Sequence, residues 1–227
     1  MRNPTLVTDG KVAYTGDMLE AAFQSPKSRV AMLGTLSELH QEPIQYDLKT
    51  LRRLVKDLQP DLLCAEIHPD DWQAGELGRL APEYREALVP LSRRTDMIIV
   101  PVSVSKNWEL VTPLGGPLVG LRSLAVRLLN HQLRLMQRLA NGPQAINSGL
   151  FGWICDCMCT LTAWVCGPQA RRAWDQANQA LLENILTAIR RDPGRRVLVT
   201  VDCRRRHRLE LALRRVPEVE LVDYRHL

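Results

Sequence analysis

Five short runs rich in Val, Ile and Leu constrain this 227-residue chain more than any other feature: Val30–Gly34, Leu62–Ile67, Met97–Val102, Val197–Val201 and Val219–Val222. Most show no polar–apolar alternation. Strands of that kind are buried on both faces, as in a parallel sheet with helices on either side. Helical patterns lie between them. Leu48, Leu51, Leu54, Val55 and Leu58 recur at helical spacing until Pro60 closes the segment. Residues 73–89 read as a second helix, interrupted near Pro82 and ended by Pro90. Leu121, Leu124, Ala125, Leu128, Leu135 and Met136 form a stripe, with Arg122, Arg127, Arg134 and Arg138 off it, the pattern of an amphipathic helix. Trp174, Ala177, Leu181, Ile185 and Ile189 form another, entered at Pro168 and ended by Asp192-Pro193-Gly194.

The order β-α-β-α-β, a long helical stretch, then β-α-β predicts an α/β fold. We expect one domain over residues 1–227, with a mainly parallel sheet flanked by helices. Residues 105–192 are too many for one crossover. They are expected to form a helical insertion or cap above the C-terminal ends of the strands, where open α/β sheets bind ligands. Thr112-Pro113-Leu114-Gly115-Gly116-Pro117 is the best hinge candidate.

Composition narrows the function classes. Hydrophobic residues at 45% supply a full core, and 24% charged residues suit a soluble surface. The net charge of +5 rests almost wholly on arginine. It permits an acidic partner without requiring one. The run Arg204-Arg205-Arg206-His207-Arg208 can bind phosphate, but no interleaved aromatics offer a stacking platform, so nucleic-acid binding is not expected. The opening residues, MRNPTLVTDGKVAYTG, place no apolar core behind their positive charge. We therefore expect no secretory signal, a cytoplasmic location and six reduced cysteines. One segment contests that reading. Residues 149–167 are apolar, nearly long enough to cross a bilayer, and carry the single charge of Asp156. A mid-span aspartate costs about 3 kcal/mol. The expectation is a buried core helix, with a membrane or interfacial segment as the alternative.

Three strand ends carry polar residues: Ser37, Glu38 and His40 after the first, Glu66, His68, Asp70 and Asp71 at the second, and Asp202 through His207 at the fourth. Glu66 is the most informative, because a carboxylate inside an apolar run must be paired or hydrogen-bonded. Either environment suits an active site. The plain alternative is a strand-terminal glutamate tied to a neighbouring arginine. With Glu66, His40 and His68 can act as general acid and base or bind a divalent metal, although no HExxH or paired CxxC spacing points to one. Cys155, Cys159 and Cys166 share a helical face while Cys157 points away, which favours small buried side chains over a sulfur site.

Leu33-Gly34-Thr35, the span from Pro60-Asp61 to Glu66, and Arg195-Arg196-Val197-Leu198-Val199 resemble strand ends of the TraB/Tiki and ChaN/erythromycin-esterase-like superfamily. Trp174-Asp175-Gln176-Ala177-Asn178 is similar to the start of the helix before that group's late strand. The resemblance covers residues 29–105 and 168–224. It implies an α/β fold with a helical insertion and a strand-end pocket. The family's first histidine falls at Ser37, its late glycine at Asp202 and its late histidine at Arg205; only Glu66 matches the motif. The activity it implies is hydrolysis of an ester or amide-like bond in a small molecule or peptide. Glu66 would orient water, His40 or His68 would move protons, and Arg205 would hold an anionic group. Ser37, Asp202 and His207 would complete the pocket. The alternative is a catalytically inactive binding or scaffold protein for an anionic small molecule, a haem-like ligand or a protein partner. In that reading the insertion supplies a surface for homo-oligomers.

Overall fold

A computed structural model describes residues 26–104 and 119–227. The hinge candidate at 112–117 and the opening segment lie outside the described residues. Five strands, β1 (Ser28–Thr35), β2 (Leu62–Ala65), β3 (Ile98–Pro101), β4 (Arg196–Asp202) and β5 (Val219–Val222), form one sheet in the order β3-β2-β4-β1-β5. Every pairing is parallel. The α/β architecture expected from the apolar runs is therefore present. Along each strand the side chains alternate between two cores. Val30, Met32, Leu62, Cys64, Val197 and Val199 pack on one face, and Ala31, Leu33, Leu63, Ala65 and Leu198 on the other. Burial on both faces is why the sequence shows no alternation.

Helix α1 (Leu48–Leu58) starts where the Asp47 carboxylate accepts the Thr50 N–H at 2.8 Å. It stops at Gln59, whose φ of 46° is left-handed, just before Pro60. Helix α2 (Pro69–Gln73) is a short turn capped by His68. The expected helix over 73–89 is different in detail. A π-helical segment, Glu83–Leu88, runs directly into α3 (Val89–Ser92), so Pro90 lies within a continuing helix and does not end it. The wider π turn leaves room for a proline ring that would strike the i−4 carbonyl of a regular helix.

Four helices follow β3 in the described part of the insertion: α4 (Val119–Leu139), α5 (Gly142–Ile146), α6 (Gly149–Cys166) and α7 (Pro168–Arg191). Helix α8 (Cys203–Leu213) then leaves the end of β4. The inward residues of α7 include Trp174, Leu181, Ile185 and Ile189, as its periodicity indicates. Helix α4 departs from its pattern. Val126, Leu133 and Gln137 face the protein, while Leu121, Leu124, Leu128 and Leu135 face outward. Helix α6 also departs from the core-helix expectation. Cys155, Cys159 and Ala163 are buried, but Leu150, Trp153, Leu161 and Trp164 are exposed. The reason is shared. Each helix has two apolar faces, and the α/β body covers only one.

Candidate functional site

The sheet order makes the polar strand tips meet. β4 lies between β2 and β1, with Ala65 beside Thr200 and Thr35 beside Asp202. Glu66 falls one residue beyond β2, not inside it, yet its N–H donates to the Thr200 carbonyl at 3.2 Å and to the Tyr84 hydroxyl at 3.0 Å. That hydroxyl donates in turn to Thr200 O at 3.0 Å. The Glu66 carboxylate turns toward α8. Oε2 accepts the Asp202 N–H at 2.9 Å, and Oε1 is 3.0 Å from Arg205 Nη1.

This ion pair is sealed. Arg205 is 1% exposed, and the Glu66 side chain 7%. The Arg205 guanidinium sits 5.2 Å from the Trp174 ring centroid. Burial pushes the Glu66 carboxyl above its ordinary range, and the Arg205 charge only partly counters it. Asp202 behaves oppositely. Burial also opposes its charge, but Arg204 holds both carboxylate oxygens, at 2.9 and 2.7 Å, and keeps its carboxyl below the usual range. Ser37 stands in a left-handed conformation, φ 50°, with its hydroxyl 3.4 Å from Asp202 Oδ2.

The expected histidines are placed elsewhere in the hydrogen-bond network. His40 is buried, and its Nε2 accepts the Leu36 N–H at 2.9 Å. Nδ1 therefore carries the proton and donates to the Tyr46 carbonyl at 2.7 Å. Burial lowers its pKa to about 4. His40 is thus a neutral brace for the loop after β1, with neither nitrogen free to move a proton. His68 caps α2, its Nδ1 accepting the Asp70 N–H at 3.2 Å. His207 packs on α6, where its Cβ comes within 3.2 Å of the place a side chain at Gly152 would occupy.

The arginine run that opens α8 is largely tied to partners inside the protein. Arg205 and Arg206 are buried, and Arg206 pairs with Glu210 at 2.7 Å and donates to Ser148 O. Arg208 pairs with Asp156 and Asp175. Each partner carboxylate comes from an element packed on α8 or from α8 itself, which sequence order conceals. All six cysteines are free thiols, and Cys203 Sγ accepts from Gln137 Nε2 at 3.1 Å.

Glu83, which the strand-end reasoning missed, belongs to this cluster. It opens the π-helical segment and is fully buried. Burial raises its carboxyl to about 7; its own N–H and the Thr35 hydroxyl lower it, while Asp202 and Glu66 push it further up. Nothing in the run Ala81-Pro82-Glu83-Tyr84 distinguishes it from an ordinary exposed helix start. The π turn following Pro82 is its only local mark, and that is visible only in three dimensions.

Two cavities lie away from the buried strand-end carboxylates. One of about 440 Å³ opens at the opposite, N-terminal end of the strands, beside Gln59, Asp61, Asp96 and Arg196. Another of about 270 Å³ lies between α8 and β5, lined by Asn147, Arg206, Glu210, Arg214 and Tyr224 among others. Neither is lined by Glu66, His40, His68 or Arg205. Among the described residues no group of three or more His, Cys, Asp or Glu side chains is arranged to hold a metal ion. In comparisons with known proteins, no family model, no curated protein and no solved structure matches this chain.

Proposed function

We propose that this chain is a divergent TraB/ChaN-like protein that works by binding and not by catalysis, its strand-end charges having become internal supports. One observation carries the reading: both oxygens of the Glu66 carboxylate are engaged, one by Arg205 and one by the Asp202 N–H, behind a nearly closed surface. A carboxylate held in this way has no access to water or substrate. His40, with both nitrogens on backbone partners, supports the same reading. The cavity between α8 and β5 gives the binding reading a place for a small molecule, lined by Arg206 and Arg214, both paired with Glu210, and by Asp223.

The hydrolase reading draws on Glu83, a buried carboxyl titrating near neutrality among Glu66 and Asp202. Glu66→Gln separates the two. Under the binding reading, the wild-type chain hydrolyses no ester or peptide in a broad panel above the buffer rate, and the variant melts several degrees lower. Wild-type turnover that disappears in a variant of unchanged melting temperature overturns it.

A further inference from the structure

We infer that α4 and α6 form a docking face for an anionic lipid surface, on which the helices lie flat without crossing it. The face involves none of the strand-end residues, so it stands or falls separately from the reading above. Nine of the twelve large hydrophobic side chains exposed among the described residues lie on these two helices. They are not scattered. At 100° per residue, Leu121, Leu124, Leu128, Leu135 and Leu139 fall within an arc of about 60°. Leu150, Trp153, Leu161 and Trp164 fall within about 80° on α6. Each stripe is on the side of its helix away from the buried residues. Leu139 is 71% exposed and Trp164 63%. Water contact on such a scale marks an interaction surface.

Charge identifies the occupant. Residues 119–174 contain six arginines, one aspartate and no lysine or glutamate. Their net charge of +5 equals that of the whole chain, so the remainder is neutral. The one carboxylate, Asp156, is held by Arg208 from α8. Arg127 and Arg134 each immediately precede an exposed leucine, as does Arg138, which is paired with Glu42 at 2.7 Å, and Arg171 covers the Trp164 ring at 4.8 Å. Leucines and tryptophans bordered by arginines fit the boundary between acyl chains and anionic headgroups. A second copy fits poorly, because a symmetric dimer through this face would oppose two surfaces of like charge.

A transmembrane span fits poorly too, although α6 is long and apolar enough by composition. Its inner residues Cys155, Cys159 and Ala163 share a core with the sheet. At Gly152 it comes so close to α8 that a Cβ would sit 3.2 Å from His207 Cβ and 3.3 Å from Arg206 Nη2. Extracting α6 into a bilayer would open that core and leave Arg208 without Asp156.

The test is flotation of the full chain with vesicles of phosphatidylcholine alone and of phosphatidylcholine mixed with phosphatidylglycerol. Binding to the mixed vesicles should be about tenfold tighter or more, weaken as salt is raised, and shift tryptophan emission to the blue. Bound protein should be released by alkaline carbonate. Leu128→Glu/Leu135→Glu and Arg127→Ala/Arg134→Ala, both at exposed positions, should each weaken binding about tenfold with melting temperature unchanged. Equal binding to both vesicle types, binding to neither, or binding unaffected by both variants overturns the inference. So does resistance to carbonate, which means a span, or a dimer by light scattering that Leu128→Glu/Leu135→Glu dissociates, which means the face is a self-interface.

Discussion

At the residue scale, two buried groups oppose each other in their response to pH. Burial raises Glu83 to about 7, so its contribution to stability is full below its unfolded value and is lost as pH rises through 7. Burial lowers His40 to about 4, so its contribution is full above its unfolded value and is lost as pH falls through 4. From about pH 4.5 to 6.5 the two slopes have opposite signs. Glu83→Gln removes one of them. Relative to the wild type, its stability should rise with pH across that interval and exceed it at pH 8 by roughly 3 kcal/mol, as read by urea melts. An unchanged pH profile contradicts the burial of Glu83. The Glu66–Arg205 pair gives a second expectation. Arg205→Met leaves a buried carboxylate without its counter-charge and should cost about 3–5 kcal/mol. Glu66→Met together with Arg205→Met should recover part of that loss, and a double variant no more stable than Arg205→Met contradicts the pairing. Of these residues, Glu66 was legible in the sequence because a carboxylate in an apolar run demands a partner. Glu83 was not, because its burial depends on a loop and a strand end far from it in the chain.

At the element scale, the junction of β1 and α8 is the tightest point of the strand-end region. A Cβ at Gly34 would lie 3.1 Å from both Cys203 Cα and Cys203 Cβ, and the Gly34 N–H donates to Asn147 Oδ1 at 2.6 Å. Backbone atoms cannot swing aside as a long side chain can. Gly34→Ala should therefore destabilise the fold by about 1–3 kcal/mol, measured by thermal or urea unfolding. A neutral effect would mean that α8 can shift away from β1. The elements also show how far periodicity reaches. The helix at 48–58 was legible from its spacing and the proline beyond it. The apolar stripe of α4 was equally clear, but spacing shows only that a face is apolar. Whether that face meets a core or solvent depends on where the insertion packs.

On the scale of the whole molecule, β4 at the centre of the sheet organises everything described. The last long crossover returns the chain between β2 and β1, which brings Thr35, Glu66 and Asp202 to one edge and places the arginines of α8 above them. The same crossover carries the net positive charge and most of the exposed large hydrophobic side chains among the described residues. The sequence by itself determined the α/β class, the parallel strands and the need of Glu66 for a partner, because these follow from local burial patterns and the cost of an unpaired buried charge. Only the tertiary structure decided that the partner is Arg205, that His40 is locked by backbone groups, that Glu83 joins the cluster, and that Leu121, Leu124, Leu128 and Leu135 of α4 face outward. Each of those depends on which distant surfaces come into contact, and spacing along one segment carries no information about the surface it will meet.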